Sequence, residues 1–243
     1  MPLELREIDA DADFPALYDC YMASYGEPMQ PFIKLFFPTL GKPEPPKDEY
    51  DEGVARLKAW HVLDPDSCWR KVIDTDTGRI AGASSWKIHR ENPFAGEPPP
   101  FEATWWPAGS ARIFTEKSMA KLGEPRTRCG QRPHVYLLSI FTHPEYRRRG
   151  VAQQSMDWGM KRADELGLEM FLEAGEHGRA LYETNGFAYV EEILLDVTTD
   201  TPDERWVEMQ QLAGTTTAWL MWRPVGGHYE EGKTAKPWEG TSI

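Results

Sequence analysis

Between His134 and Leu166 the chain passes from an almost unbroken apolar run to a basic turn and then to an amphipathic segment, and few folds accommodate that succession. His134-Val135-Tyr136-Leu137-Leu138-Ser139-Ile140-Phe141-Thr142 predicts a strand buried on both faces. His143-Pro144-Glu145-Tyr146 ends it, because proline cannot donate to a central ladder. After Arg147-Arg148-Arg149-Gly150 a helix is expected, with Ala152, Met156, Gly159, Ala163 and Leu166 as its apolar stripe. Asp157, Lys161, Arg162, Asp164 and Glu165 fall on the solvent side, and Gly167 supplies the stop.

Such a junction is an anion site on physical grounds. The first amides of a helix lack partners within it and sit at the positive end of its dipole. Gly150 lets a ligand approach the main chain, small Ala152 keeps the first turn open, and three arginines concentrate positive charge. A diphosphate suits this arrangement. The spacing matches neither the G-x-x-x-x-G-K-S/T loop nor the G-x-G-x-x-G turn of other phosphate binders.

The flanks read as follows. Leu3, Leu5 and Ile8 open a strand, and Asp11 to Asp13 cap a helix carrying Phe14, Leu17, Tyr18, Tyr21 and Met22. Residues 26–46 hold six prolines but also Phe32, Ile33, Leu35, Phe36 and Phe37, which predicts an ordered loop with a short helical turn, packed against something. A helix is expected over Glu49–Leu63, and Cys68–Ile73 with Arg79–Ile88 forms a hairpin about Asp74-Thr75-Asp76-Thr77-Gly78. In its second strand Ile80, Gly82, Ser84, Trp86 and Ile88 occupy one face. Residues 91–133 are proline-punctuated and aromatic, with a helix over Ala111–Leu122, and read as an insertion folded over a site.

Downstream, Leu168–Glu173 predicts a strand, residues 174–178 a loop, and Arg179-Ala180-Leu181-Tyr182-Glu183-Thr184-Asn185-Gly186-Phe187 a short helix stopped at Asn185-Gly186. The two motifs together resemble the GNAT acetyltransferase superfamily, whose acyl-CoA site is built on R/Q-x-x-G-x-G/A and whose next landmark reads L-Y-E-x-x-G-F. Arg147, Gly150 and Ala152 match the first; Leu181-Tyr182-Glu183 and Gly186-Phe187 match the second. At motif level the likeness covers about the central third of the chain.

The resemblance implies an α/β fold: a mixed, mostly antiparallel twisted sheet with a splayed parallel pair at the acyl-CoA site and helices on both faces. It implies one acyltransferase-like domain over residues 1–225, with insertions at 26–46 and 91–133 and a polar tail over 226–243. The main chain of Arg147, Arg148, Arg149, Gly150, Val151 and Ala152 would receive the diphosphate of acetyl-CoA. Ile140, Phe141 and Thr142 would pair with the pantetheine amides, and Tyr182 would protonate the departing thiolate. The implied reaction is direct acyl transfer to a small-molecule or peptide amine. The alternatives are a non-catalytic acyl-CoA-binding module and an O-acyltransferase. Many relatives carry Asn or Ser where this chain has Gly175, so one cofactor contact is missing. The residues leave the general base open among His134, Tyr136, Glu173 and His177, and leave monomer and dimer equally open.

Composition bounds these readings. A formal net charge of -12 opposes binding to nucleic acid or an anionic membrane and favours a cationic acceptor. Hydrophobic residues at 40 %, including 10 Trp, 9 Tyr and 10 Phe, exclude a disordered chain. Cys20, Cys68 and Cys129 are scattered and odd in number, and the six histidines show no ligand spacing, so neither disulfides nor a metal is expected. The first residues carry no basic cap followed by an apolar run, which with the cysteines predicts a cytoplasmic protein.

Overall fold

The computed structural model describes residues 2–96 and 101–239. Met1, residues 97–100 of the expected insertion (with Pro98, Pro99 and Pro100) and residues 240–243 of the expected tail lie outside the described residues. Seven strands are described: β1 (Leu3–Glu7), β2 (Ser67–Asp74), β3 (Ile80–His89), β4 (His134–Thr142), β5 (Glu169–Ala174), β6 (Ala188–Leu194) and β7 (Thr217–Arg223). Their order in the sheet is β1-β2-β3-β4-β5-β7-β6. The helices are α1 (Phe14–Gly26), α2 (Lys47–Val62), α3 (Ser110–Cys129), α4 (Val151–Leu166), α5 (Arg179–Thr184) and α6 (Glu204–Ala213). The ladders β1/β2, β2/β3, β5/β7 and β6/β7 are antiparallel, and β4 and β5, joined through α4, are the parallel pair. The fold is thus the expected mixed α/β sheet. The chain forms two compact units, Met1–Ile88 with Leu137–Arg162 and His89–Tyr136 with Ala163–Ile243.

In the first unit β1, β2 and β3 form a meander. The turn between β2 and β3 closes with Gly78 at φ 73° donating its N–H to the Asp74 carbonyl at 2.7 Å, a conformation for which glycine has no steric penalty. The proline-rich segment after α1 makes one 3₁₀ turn, Pro31–Leu35, and drives Leu35, Phe37 and Leu40 into the core. Phe37 meets Tyr18, Tyr21 and Trp60 edge-on at 5.5, 5.2 and 5.6 Å, so the aromatics of α1, α2 and the loop pack as one cluster.

Two details of this unit differ from the pattern of its sequence. β3 does not alternate between a core face and an open face: everything from Ala81 to Trp86 is buried. Alanine, glycine and serine read as surface residues by size and polarity, yet here they are small because neighbours come close. β4 is buried over its first four residues and again at Phe141, while Leu138 between them is 40 % exposed. An apolar run does not distinguish a doubly covered strand from one that is partly open.

Helix α4 keeps Met156, Gly159 and Ala163 of its expected stripe, but Val151 and Ser155 are buried where Ala152 and Leu166 are half-exposed. Gly159 is the seat of the Trp86 indole; a Cβ added there would fall 2.3 Å from the ring. Gly167, at φ 66°, ends the helix as expected.

In the second unit α3 runs seven residues past Leu122 and straight through Pro125. Proline removes one helical amide, which ordinarily breaks a helix. Burial of Pro125 and Cys129 offsets that loss. Helix α6 is unmarked by sequence pattern, since a ten-residue stripe of Trp206, Met209 and Ala213 is short; Asp203 caps it by accepting from the Trp206 N–H at 2.8 Å. Phe114 of α3 meets Trp206 edge-on at 5.1 Å. Asp164 does more than face water: it holds Arg223 through both oxygens at 2.8 and 2.9 Å and accepts from the Gly226 N–H at 3.0 Å. The segment after Gly226 is polar in sequence, yet Tyr229 and Trp238 return to pack on the core around Phe171 and Trp222.

Gly159→Ala tests the helix seat. Better helix propensity returns about 1 kcal/mol, but overpacking against a buried indole costs about 1–3 kcal/mol. A net loss of stability is expected in urea unfolding; a gain would show that Trp86 yields freely.

Candidate active site

The turn from β4 into α4 lies wholly in the first unit and contains two left-handed residues in close succession. Among the described residues Arg148, at φ 59°, is the only non-glycine with a left-handed conformation, and Gly150 follows at φ 81°. For an L-residue this costs about 1–2 kcal/mol, a strain that persists only where the surroundings enforce it. Left-handed residues interleaved with ordinary ones turn successive N–H groups toward one side, the geometry of an anion nest. The Gln154 N–H donates to the Gly150 carbonyl at 3.0 Å, so Gly150 is the N-cap of α4 and the amides that follow it belong to the first turn, for which the helix itself has no carbonyl. A Cβ on Gly150 would meet nothing within 4 Å, so the chain is open on that side of the residue.

Each expected residue of this stretch has a definite setting. Arg148, Arg149 and Gly150 are exposed, Val151 is buried, and Arg147 and Ala152 are half-buried. The Arg149 guanidinium lies 5.6 Å from the Tyr146 ring centroid, and the Tyr146 hydroxyl donates to Asp74 at 3.1 Å. Although burial pushes the Asp74 carboxyl up, hydrogen bonds from Asp76, Tyr146 and Thr77 hold it below the usual carboxylate range. Arg147 turns its side chain away from the open space: Nη2 donates to the Ser24 carbonyl at 3.0 Å and to the Glu27 carbonyl.

Ile140, Phe141 and Thr142 precede the turn at the end of β4. The His143 N–H donates to the Ala81 carbonyl at 2.9 Å, tying the strand end to β3. A Cβ on Gly82 would fall 2.5 Å from the Phe141 carbonyl oxygen and 2.6 Å from Val151, so β3, the strand end and the helix start converge on that glycine. Phe141 is buried against Tyr21 at 5.2 Å and Trp69 at 6.2 Å.

Tyr182 belongs to the second unit, on the single short helix α5. It is 7 % exposed, packs on Phe187 at 6.0 Å, and lies so close to Gly178 that a Cβ there would reach its ring at 2.8 Å and its hydroxyl at 3.1 Å. The glycines of the 174–178 loop therefore differ: Gly178 makes room for Tyr182, whereas a Cβ on Gly175 would enter empty space.

The second unit also holds a buried ionic group that sequence reading does not assemble. Glu173 accepts from Arg126 Nε at 2.9 Å and from the Tyr136 hydroxyl at 2.6 Å, while the Arg126 guanidinium sits 3.7 Å from the Tyr136 ring centroid. Burial and the Glu173 charge push the Tyr136 phenol far above its usual range. Both carboxylate oxygens of Glu173 are thus engaged and Tyr136 stays a donor, so neither is poised as a general base. The available signal was Glu173 itself, which with Glu169 is one of two carboxylates in a strand that otherwise reads Met-Phe-Leu-Ala, and a carboxylate there must have a partner. His134 is fully buried, with Nδ1 2.8 Å from the Arg132 carbonyl and rings of His89, Phe94 and Phe171 around it. Burial lowers its pKa to about 3, too weak a base for neutral pH. His177 is exposed.

A family model described as acetyltransferase (GNAT) family matches residues 29–187, and the chain belongs to that family. It is accordingly an acyltransferase. Solved structures share the fold. A protein from Corynebacterium glutamicum described as histone acetyltransferase HPA2 and related acetyltransferase is 21 % identical with a TM-score of 0.50, over 93 % of this chain and 97 % of that one. The polyamine N-acetyltransferase of Drosophila melanogaster is 14 % identical with a TM-score of 0.56, over 91 % and 99 %. A mosquito arylalkylamine N-acetyltransferase-like protein is 12 % identical with a TM-score of 0.55, over 91 % and 99 %. No curated protein sequence matches the chain. Among the described residues no group of three His, Cys, Asp or Glu is arranged to hold a metal ion, and no helix is long and apolar enough to cross a membrane.

His134 makes a pH prediction. Its ordinary pKa of 6.5 applies to the unfolded chain and about 3 to the folded one, so between these values the unfolded state binds the extra proton. The contribution is intact above pH 6.5 and is lost as pH falls toward 3, at up to about 1.4 kcal/mol per pH unit. Urea midpoints measured from pH 7 to pH 4 should fall with this slope, and His134→Leu should flatten it by one proton. An unchanged slope in that variant would place the acid sensitivity elsewhere.

Proposed function

We propose that this acyltransferase takes its acyl group from acetyl-CoA and transfers it directly to the nitrogen of a small-molecule amine or peptide amino group. The observation that carries the reading is the left-handed pair Arg148 and Gly150 at the start of α4, with open space beside Gly150. Amides that no helical carbonyl can reach, at the positive end of a 16-residue helix, suit the diphosphate of a CoA thioester.

Bound there, acetyl-CoA supplies an acyl group already activated as a thioester. In this reading the main chain of residues 147–152 holds the diphosphate, with Arg148 and Arg149 adding exposed charge nearby. In this reading the end of β4, from Ile140 to Thr142, lies along the pantetheine arm and holds the carbonyl where its developing negative charge meets a donor. The ammonium first gives one proton to water. The amine nitrogen then forms the new C–N bond, the C–S bond breaks, the Tyr182 hydroxyl gives its proton to the departing sulfur, and the second proton lost by the nitrogen restores the phenol through water. Gly178 sets the Tyr182 hydroxyl by close packing. Gly175 contributes no side chain, so more of the cofactor's affinity rests on the α4 turn.

An amine acceptor agrees with the net charge of -12, which attracts cations. Agreement comes also from neighbours in fold whose names specify acylated amines, among them a polyamine and an arylalkylamine acetyltransferase. In this reading residues 1–225 work as one catalytic domain. A cytoplasmic location is in keeping with free Cys20, Cys68 and Cys129, of which Cys20 and Cys129 are buried.

Thiol release from acetyl-CoA across a panel of amines and alcohols tests the activity. Release with amines supports it, release with alcohols alone makes the protein an O-acyltransferase, and binding without release makes it a carrier. Gly150→Glu should reduce CoA affinity a hundredfold or more by calorimetry, with melting lowered by only about 2–8 °C, from about 1–2 kcal/mol of left-handed strain. Unchanged affinity removes the loop assignment. Tyr182→Phe keeps the ring packing and should lower kcat about a hundredfold with CoA affinity little altered; full activity would leave Tyr182 as a packing residue.

A further inference from the structure

Arg147 occupies the first position of the R-x-x-G-x-A turn, yet its charged end is bound within the protein. Nη2 donates to two main-chain carbonyls, those of Ser24 and Glu27, at the end of α1. These are carbonyls for which the helix has no further N–H, at the negative end of its dipole, so a guanidinium there is favourably placed. Between the two clamped carbonyls sits Tyr25. Its own carbonyl accepts from the Gln30 N–H at 2.9 Å, so the main chain of this corner is held from both sides.

The Tyr25 side chain leads back to β4. Its ring packs on Tyr21 at 4.5 Å and on Phe141 at 6.4 Å, and its hydroxyl donates to the Ile140 carbonyl at 3.4 Å. Burial raises the phenol to about 12, so it remains a donor throughout the neutral range. A closed circuit results within the first unit. It runs from Ile140 along the chain to Arg147, across to Ser24 and Glu27, and through Tyr25 back to Ile140.

We propose that the Arg147 side chain is a positioning group: through the Ser24 and Glu27 carbonyls it holds Tyr25 against Ile140, and so locks the end of β4 to the end of α1, without the guanidinium itself touching the acyl donor. This rests on the reading of β4 and the α4 turn as the acyl-CoA site, and it gives the first arginine of the motif a different task from its neighbours. Arg148 and Arg149 contribute charge and main-chain amides; Arg147 contributes geometry. The register of Ile140 to Thr142, and with it the placing of the acyl carbonyl before the amine, would depend on the clamp.

The test compares Arg147→Ala, Arg147→Lys, Tyr25→Phe and the double variant Arg147→Ala/Tyr25→Phe with the full-length protein. Hydrogen exchange at Gln30 reports on the α1 corner, and exchange at His143 reports on the β4 end. In Arg147→Ala both amides should exchange about tenfold faster, while CoA affinity by calorimetry stays within about threefold. Lysine should restore part of the protection. Tyr25→Phe should accelerate His143, and the double variant should be no faster there than Arg147→Ala alone. With the amine found in the panel, Arg147→Ala should lower kcat/KM for the amine tenfold or more, with KM for acetyl-CoA little altered. The proposal is overturned if Gln30 speeds up while His143 does not, if the two substitutions multiply, or if CoA affinity falls tenfold with the amine parameters unchanged. Failure of the acyl-CoA reading looks different: Gly150→Glu would leave CoA affinity intact while the exchange results above still held.

Discussion

The turn of left-handed backbone between β4 and α4 is the constraint on which the first unit is organised. A chain that leaves a strand, reverses and starts a helix within eight residues has few conformations available. Here Arg148 and Gly150 both take φ values that ordinary residues avoid. Such strain survives because the residues on either side of the turn are tightly held. Gly82 admits the Phe141 carbonyl and Val151 at distances that a Cβ would forbid, Gly159 admits the Trp86 indole, and Arg147 ties the turn to α1. Glycine at Gly82 and Gly159 thus serves contact, whereas at Gly150 it serves conformation and leaves the space in front empty.

The second unit is held in a different manner. Its core is crossed by charges that are paired: Glu173 with Arg126 and Tyr136, Glu169 with Arg132 and Trp222, and Asp164 with Arg223. Buried ion pairs add little net stability, but losing one partner costs about 3–5 kcal/mol. Their physical value lies in orientation, because a guanidinium facing a carboxylate accepts few geometries. Arg126 reaches Glu173 only because α3 continues past Pro125. Tyr229 and Trp238 complete the same core from a segment whose sequence is mostly polar.

Legibility in the sequence followed the kind of physics involved. The β2/β3 hairpin, the strand before the basic turn, the stop at Gly167 and the 3₁₀ turn among the prolines were all readable, because each follows from local stereochemistry or from periodicity. The extension of α3, the short helix α6 and the burial of both faces of β3 were not. Each depends on a neighbour remote in sequence: Pro125 is tolerated in a packed helix, Trp206 is held by Phe114, and Ala81 and Ala83 are small because other groups approach. The same division runs through the candidate site. A strand, a basic turn and a small-faced helix announced an anion cradle, whereas the pairing of Glu173 with Arg126 and Tyr136 brought together residues 37 and 47 positions apart.

By itself, then, the order of residues determined the family, the α/β class and the place of the turn, since these reside in short motifs and in repeating apolar patterns that any chain with this order must carry. Tertiary structure alone decided what the side chains at those places do. It sent Arg147 to the carbonyls of Ser24 and Glu27 instead of outward, engaged both oxygens of Glu173, and buried His134 where a proton is unwelcome. The reason is that a charge or a hydrogen-bonding group has no fixed role until packing sets its distance from a partner and removes the water that would otherwise compete.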